Sequence, residues 1–294
     1  MNSKHIFQIS CPHSQRLSFL FSASLFLFAF TAFLFAADSS ESKNLSADTP
    51  TPSVQKTEEA QKTPYHWDFT NSKLNKKGIP ENWSYRGKPF TPDVKYELVK
   101  DASLDNRQVL KITADKATGA ILLDTSNVDL EKYPVLRWRW KAEVLPSGAD
   151  ARIKSKDDQG IAIFAGYGRL TQKSISYCWQ TETPAKVSGK STYNGVVDVT
   201  WYTKRNKLDK MGEWYTEEVN LLLDMKDNFG KIPSDWALSV SSNSQYTESS
   251  AVVYLDYIEF VEKLSPDAPA LSEQKSADAD TPSAKNSAPS PSGK

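Results

Sequence analysis

Histidine and cysteine are nearly missing from this chain. Of 294 residues, three are His and two are Cys. His5 and His13 stand near the start, so His66 alone reaches the aromatic-rich part of the chain. That excludes a histidine-built zinc site, and the cysteines cannot make up the missing ligands. A Ser-His-Asp triad would have to use His66, which sits beside Trp67. Cys11 falls in the N-terminal apolar region, so Cys178 has no intrachain disulfide partner and the fold relies on its core. Within ISYCWQT, Cys178 reads as a small buried apolar residue rather than a reactive thiol, since no His is near it in sequence. Net charge is lacking too, with 36 Lys+Arg against 36 Asp+Glu. A nucleic-acid binder would show a net basic footprint. No G-x-S-x-G elbow, P-loop or dinucleotide fingerprint occurs.

What is there is unevenly placed. Lys4, His5, His13 and Arg16 precede LSFLFSASLFLFAFTAFLFAA, residues 17–37. A basic start, an apolar stretch and small residues at its end read as an export signal. The stretch is also about 20 residues, the length that spans a bilayer as a helix. Its end, Phe33-Leu34-Phe35-Ala36-Ala37, meets the small-x-small cleavage pattern poorly, so residues 1–37 are expected to be a signal peptide or a retained membrane anchor. Either way the rest is expected to be exported, periplasmic or secreted, and tied to the inner membrane only if the segment stays uncleaved. Residues 38–64 and 263–294 are rich in Ser, Thr, Pro, Glu and Lys and read as a disordered linker and a disordered tail. All eight Trp and all twelve Tyr lie between Tyr65 and Tyr257. The folded unit is therefore placed at 65–262, roughly 200 residues, long enough to bury about 70% of its unfolded surface.

Within that unit, short apolar runs alternate with turn residues. Eleven read as strands: 65–69, 94–99, 108–114, 119–124, 134–144, 160–167, 174–181, 195–202, 213–220, 236–242 and 252–260. GIP, LPSG, VSGK, YNG and Lys210-Met211-Gly212 read as turns. LLLDMKDNFG, residues 221–230, reads as a short helix with Asn220 as its N-cap and Gly230 as its stop. The expected fold is all-β: an antiparallel jelly-roll β-sandwich with one short helix.

Residues 135–144 read VLRWRWKAEV. In a strand, Leu136, Trp138, Trp140 and Ala142 share one face, while Val135, Arg137, Arg139 and Lys141 share the other. The first set is a core stripe. The cation row has two readings. It pairs with carboxylates on a neighbouring strand, Glu217 being a partner candidate, which contributes little per pair. Or it lines a concave face and meets an anionic or hydroxyl-rich ligand, which the planar guanidinium fork suits. Asp157 and Asp158 follow where a charged loop enters GIAIF. Extended, they face opposite ways and cannot serve as a paired acid and base. Glu143, Asp198 and Glu218 likewise offer no spacing that singles out the two carboxylates a glycosidase holds about 5 to 10 Å apart. Calcium is the metal that the composition permits, because it takes oxygen ligands alone. Asp68 and Asp256 would come together if the first and last strands are neighbours.

GIPENW (78–83), VKYELVKD, VLKITADKATGAILL, YPVLRWRWKAEVLPSGADARIKSKDDQGIAIF, ISYCW, GEWYTEEVNLLLDMKDNFG and VVYLDYIEF follow one another in this order. The series resembles the bacterial domain of unknown function 3047 across about residues 67–260. Leu-Arg-Trp-Arg-Trp with the downstream Asp-Asp is its most specific part, and Trp214 and Glu217 match the family's W-x-x-E. The resemblance implies an exported protein with a sandwich similar to galactose-binding-like jelly rolls. That wider group includes many carbohydrate-binding modules, often with a structural calcium held through an Asp of the final strand. It implies no established activity. Where the family usually carries an acidic, Asn-containing stretch, this chain has SVSSNSQYTESS (239–250), with Asn243 as the surviving site residue.

The reading that follows is a non-catalytic exported binding module without a cofactor, apart from the calcium just named. Its ligand is expected to be glycan-like or anionic, bound over Arg137 and Arg139 with Asp157, Asp158 and Glu217 setting their positions. Tyr167, Trp201 or Tyr202 would stack on sugar rings. The alternatives are a carboxylate-based enzyme acting on envelope polysaccharide, and a structural or assembly partner of an envelope protein.

Overall fold

The computed structural model describes residues 63–168, 171–266 and the pair 275–276. The expected signal or anchor (1–37), nearly all of the expected linker (38–64) and most of the expected tail (263–294) lie outside the described residues. In chain order the elements are β1 (His66–Asp68), β2 (Trp83–Gly87), β3 (Lys95–Asp101), β4 (Arg107–Asp115), β5 (Thr118–Leu123), β6 (Val135–Val144), β7 (Gln159–Tyr167), β8 (Gln172–Trp179), β9 (Val187–Tyr193), β10 (Val197–Arg205), β11 (Trp214–Asn220), α1 (Leu221–Phe229), β12 (Ala237–Asn243), β13 (Ser250–Val261) and the two-residue β14 (Lys275–Ser276). Short 3-10 turns at 102–104 and 154–156 complete the set.

The strands form two stacked sheets. The first has the order β11-β6-β13-β4-β3, and β1 pairs with the end of β13. The second runs β14-β9-β10-β8-β7-β12-β5-β2. Two-residue periodicity places the core between them. In β6, Leu136, Trp138, Trp140 and Ala142 are each 0% exposed. Their indoles meet the inner face of β8, with Trp138 5.5 Å from Tyr177 and Trp140 5.8 Å from Trp179 between ring centroids. Burying large rings in this way is the main source of stability for a chain without disulfides.

The eleven expected strands are all present, within a few residues of their expected bounds. Three more were not anticipated: β2, β9 and β14. The VSGK stretch, read as a turn, begins β9. Its Gly189 is there for space rather than for a bend, since a Cβ at that position would overlap the Trp201 ring on β10. The expected antiparallel sheet also has two exceptions, because β10 runs parallel to β8 and the two-residue β14 runs parallel to β9. The chain leaves β8, turns into β9, then reverses at Asn194-Gly195, both at positive φ (51° and 69°), and β10 slots between β9 and β8. Two reversals restore the direction of β8.

The helix is as expected. Asn220 Oδ1 accepts from Leu223 N at 3.0 Å, and Gly230 closes the last turn at φ 72° with its N–H on Lys226 O at 2.8 Å. Leu221 and Met225, one turn apart, are buried beneath it.

Candidate functional site

The cation row of β6 lies on the outer face of the first sheet, and every member is already partnered. Arg137 stands opposite Glu218 on β11 and Glu259 on β13, with Nε 2.5 Å and Nη1 3.0 Å from their carboxylates. Arg139 Nε donates to Asp256 at 2.6 Å, and Arg107 donates to the same oxygen at 3.0 Å. The Arg139 guanidinium also lies 5.4 Å from the Tyr257 ring. Lys141 donates to Asp101 at 2.5 Å and sits 4.3 Å from the Tyr254 ring. These side chains tie β6 to its neighbours and present no open guanidinium fork to a ligand. The expected recognition surface over Arg137 and Arg139 is therefore corrected to a structural ion-pair ladder.

The other expected residues do not join them. Glu217 is not the partner of this row: it alternates inward on β11, where Arg205 Nε reaches it at 2.5 Å and Lys204 at 4.0 Å. Burial pushes its carboxyl up, against the pull of Arg205 and Lys204. Asp158 is 0% exposed. Its carboxylate accepts from Tyr246 N (3.1 Å), Thr247 N (2.7 Å) and Thr247 Oγ1 (2.7 Å), which fixes the 245–249 turn. Asp157 faces the other way, onto the outer face of the second sheet.

Calcium was expected on Asp68 and Asp256, and β1 does pair with β13 beside them. The residues do not fit the ion. Asp256 falls where the β13–β6 register slips, between Leu255 and Tyr257, so it shares the outer face with Tyr257 and lies beneath Arg139 and Arg107 rather than open to water. It is 0% exposed, with two guanidinium groups on one oxygen. Asp68 Oδ2 faces His66 Nε2 at 3.4 Å. Among the described residues no group of three or more His, Cys, Asp and Glu is placed to hold a metal.

The feature that can hold a ligand is a cleft of about 550 Å³ on the outer face of the second sheet. That size falls in the range of small-molecule sites. Its floor follows from alternation. On β8, Ile175, Tyr177 and Trp179 enter the core, so Ser174, Ser176 and Cys178 face out. On β12, Ser239, Ser241 and Asn243 face out in the same way. Between them, on β7, Phe164 stands opposite Ser176 on one side and Ser239 on the other. An aromatic ring half-buried between rows of small hydroxyl residues is thus the centre of the floor.

Larger rings make the sides. Trp201 rests on Gly189, 5% exposed, with Nε1 donating to Ser191 Oγ at 3.2 Å. Tyr246 is 39% exposed and carries Lys88 Nζ 5.3 Å from its ring centre. Tyr193 on β9 donates its hydroxyl to Asp157 Oδ2, and Lys154 Nζ donates to Thr192 O at 3.2 Å. These two bonds join the 145–158 loop to β9, although β8 and β10 lie between β7 and β9 in the sheet. In a flat sheet three strand spacings amount to about 14 Å. The loop therefore reaches over the face and the sheet curls beneath it.

Polar groups gather at the end where β7 begins. Gln159 and Gln180 are 8% and 1% exposed. Burial pushes the Asp157 carboxyl up to about 7, helped by the charges of Asp158 and Asp150. Burial likewise pushes the Cys178 thiol up to about 12, which leaves it inert at neutral pH. Among the described residues lining the cleft Asp157 is the one carboxylate, and no facing pair such as glycoside hydrolysis needs is assembled from them.

Of the aromatics expected to stack, Tyr167 and Trp201 line the cleft. Tyr202 instead turns inward, its ring 5.8 Å from Tyr177 and its hydroxyl accepting from Asn228 at 3.0 Å. Asn243 also lines the cleft, donating to the Asp157 backbone oxygen at 3.4 Å. Phe164, Tyr193, Tyr246, Gln159 and Gln180 were missed. Phe164 was within reach, since GIAIF sets it opposite in phase to Ile161 and Ile163.

Fold and site together define a mostly-β protein, a jelly-roll-like two-sheet sandwich grooved on one outer face. The chain belongs to the family described as Protein of unknown function (DUF3047), whose model matches residues 81–259. Among solved structures it is similar to the family 11 carbohydrate-binding module of cellulosomal cellulase Lic26A-Cel5E of Clostridium thermocellum, at 12% identity and a TM-score of 0.34, covering 67% of this chain and 98% of that one. The CBM22-1 xylan-binding domain of Paenibacillus barcinonensis Xyn10C is similar at 14% identity and a TM-score of 0.32, covering 68% and 94%. A cellulase derived from Cel12A of Rhodothermus marinus is similar at 8% identity and a TM-score of 0.36, covering 66% and 98%. No curated protein matches the sequence.

Proposed function

We propose that this protein is an exported, non-catalytic glycan-binding module that holds an oligosaccharide in the cleft of the second sheet. The observation that carries the reading is the central Phe164 ring between Ser176 and Ser239. A pyranose presents an apolar C–H face and a rim of hydroxyls, and this floor offers a ring for the first and small polar groups for the second. The single carboxylate among the described residues of the cleft favours binding over hydrolysis. Export is supported by the basic start and the apolar stretch of residues 17–37.

The test is a glycan-array screen of the purified protein, followed by calorimetry on any hit with Phe164→Ala. Phe164 lies on the outer face, so its removal spares the packing between the sheets. Loss of the ring is expected to weaken binding about tenfold, equivalent to ~1.4 kcal/mol. An array with no hit, or a hit that Phe164→Ala binds as well as the parent does, refutes the reading.

A further inference from the structure

We infer that the polar end of this cleft takes an uncharged sugar unit through its hydroxyl or amide donors and refuses a uronate or other anion. The inference rests on the cleft being the glycan site and adds the chemical class of the unit bound there. Its basis is Gln180, 1% exposed at the cleft wall, whose Oε1 has no hydrogen-bond partner. Buried side-chain acceptors are nearly always satisfied, so an orphan on a residue that lines a cleft marks a place for an incoming donor.

The amide orientation follows from its neighbour. Cys178 Sγ donates its one proton to Tyr202 O at 3.5 Å, so the sulfur can only accept from Gln180. The amide N–H is held at the sulfur, and the oxygen is the atom left over.

The second acceptor is Asp157. Its charge acts on Cys178, which places it at the same end as Gln180. Among the described residues lining the cleft, the lysines are engaged elsewhere or distant. Lys154 is held by Thr192 O and the Tyr193 ring, 5.7 Å away, and Lys88 lies against Tyr246. Lys173 pairs in register with Tyr167, at the far end of β7. Above about pH 7, where Asp157 is ionised, a carboxylate entering beside it and Gln180 Oε1 would lose water and meet two acceptors. A hydroxyl or an amide N–H would satisfy Gln180 Oε1.

The experiment uses pairs of oligosaccharides that differ only in a terminal hexose or its uronic acid, titrated into the full-length protein by calorimetry at pH 8. The neutral member is expected to bind at least about tenfold more tightly. Gln180→Leu, close in shape but without the acceptor, is expected to weaken the neutral member about tenfold, and Asp157→Asn to narrow the gap between members. Equal binding of both members by the parent protein overturns the inference. So does a folded Gln180→Leu protein that binds the neutral member undiminished. Should Gln180→Leu fail to fold, the parent protein's preference and the Asp157→Asn response decide the matter. Phe164→Ala separates the two readings: if it abolishes binding while the paired ligands bind alike, only the selectivity fails; if it changes nothing, the cleft itself is not the site.

Discussion

At the scale of single residues, two carboxylates have opposite fates. Asp157 is held near neutrality by burial and by Asp158 and Asp150, whereas an unfolded Asp titrates at about 3.9. Between about pH 4 and about pH 7 the folded chain keeps a proton that the unfolded chain releases. This group's contribution is therefore most favourable below about pH 4 and is lost as pH rises toward 7. Asp157→Asn keeps an acceptor for Tyr193 and removes the titration. Thermal melts at pH 5 and pH 8 should show the variant gaining on the parent at pH 8 by about 1 kcal/mol, or ~3 °C; a gain confined to pH 5 would contradict the assignment. Asp256, by contrast, has its charge answered by Arg139 and Arg107. Arg139→Met leaves a buried carboxylate half-compensated and is expected to cost roughly 3 kcal/mol in urea unfolding, while ligand affinity at the opposite sheet stays unchanged. The alternation of indole and guanidinium in β6 was legible because it needs only a two-residue period. The burial of Asp256 beneath Arg139 and Arg107 was not, because a slipped register leaves no mark on the residue sequence.

Elements show the same division. Runs with strong alternation or dense apolar content were visible as strands, and α1 was visible through its two caps. The β9 segment, VSGKSTY, was not, because its one central glycine reads as a turn unless the Trp201 ring above it is known. That ring gives β9 a test. Gly189→Ala leaves the backbone free to remain a strand but places a methyl against the indole. It should destabilise the fold by about 1–2 kcal/mol and weaken glycan binding, measured by denaturant titration and calorimetry, because Trp201 must shift into the cleft. If both quantities match the parent, Trp201 is not seated as described.

At the scale of the whole molecule, the sequence tells which side chains share a face but not which face is concave. Two outer surfaces carry charged or polar side chains in phase. One is closed by carboxylates from strands 40 or more residues away in sequence, as with Lys141 and Asp101 or Arg137 and Glu218. The other is open because its outward positions on β8 and β12 are small. Both conditions are set by pairings between distant strands, which is why the sequence pointed to the face closed by ion pairs rather than to the grooved one, and to the right class of fold. The fastening of the 145–158 loop to β9 has a thermodynamic consequence. Lys154 and Asp157 act as a brace across the groove, so its breadth is set before any ligand arrives. Association then needs little rearrangement of the scaffold, and less of the intrinsic contact energy is lost to ordering it.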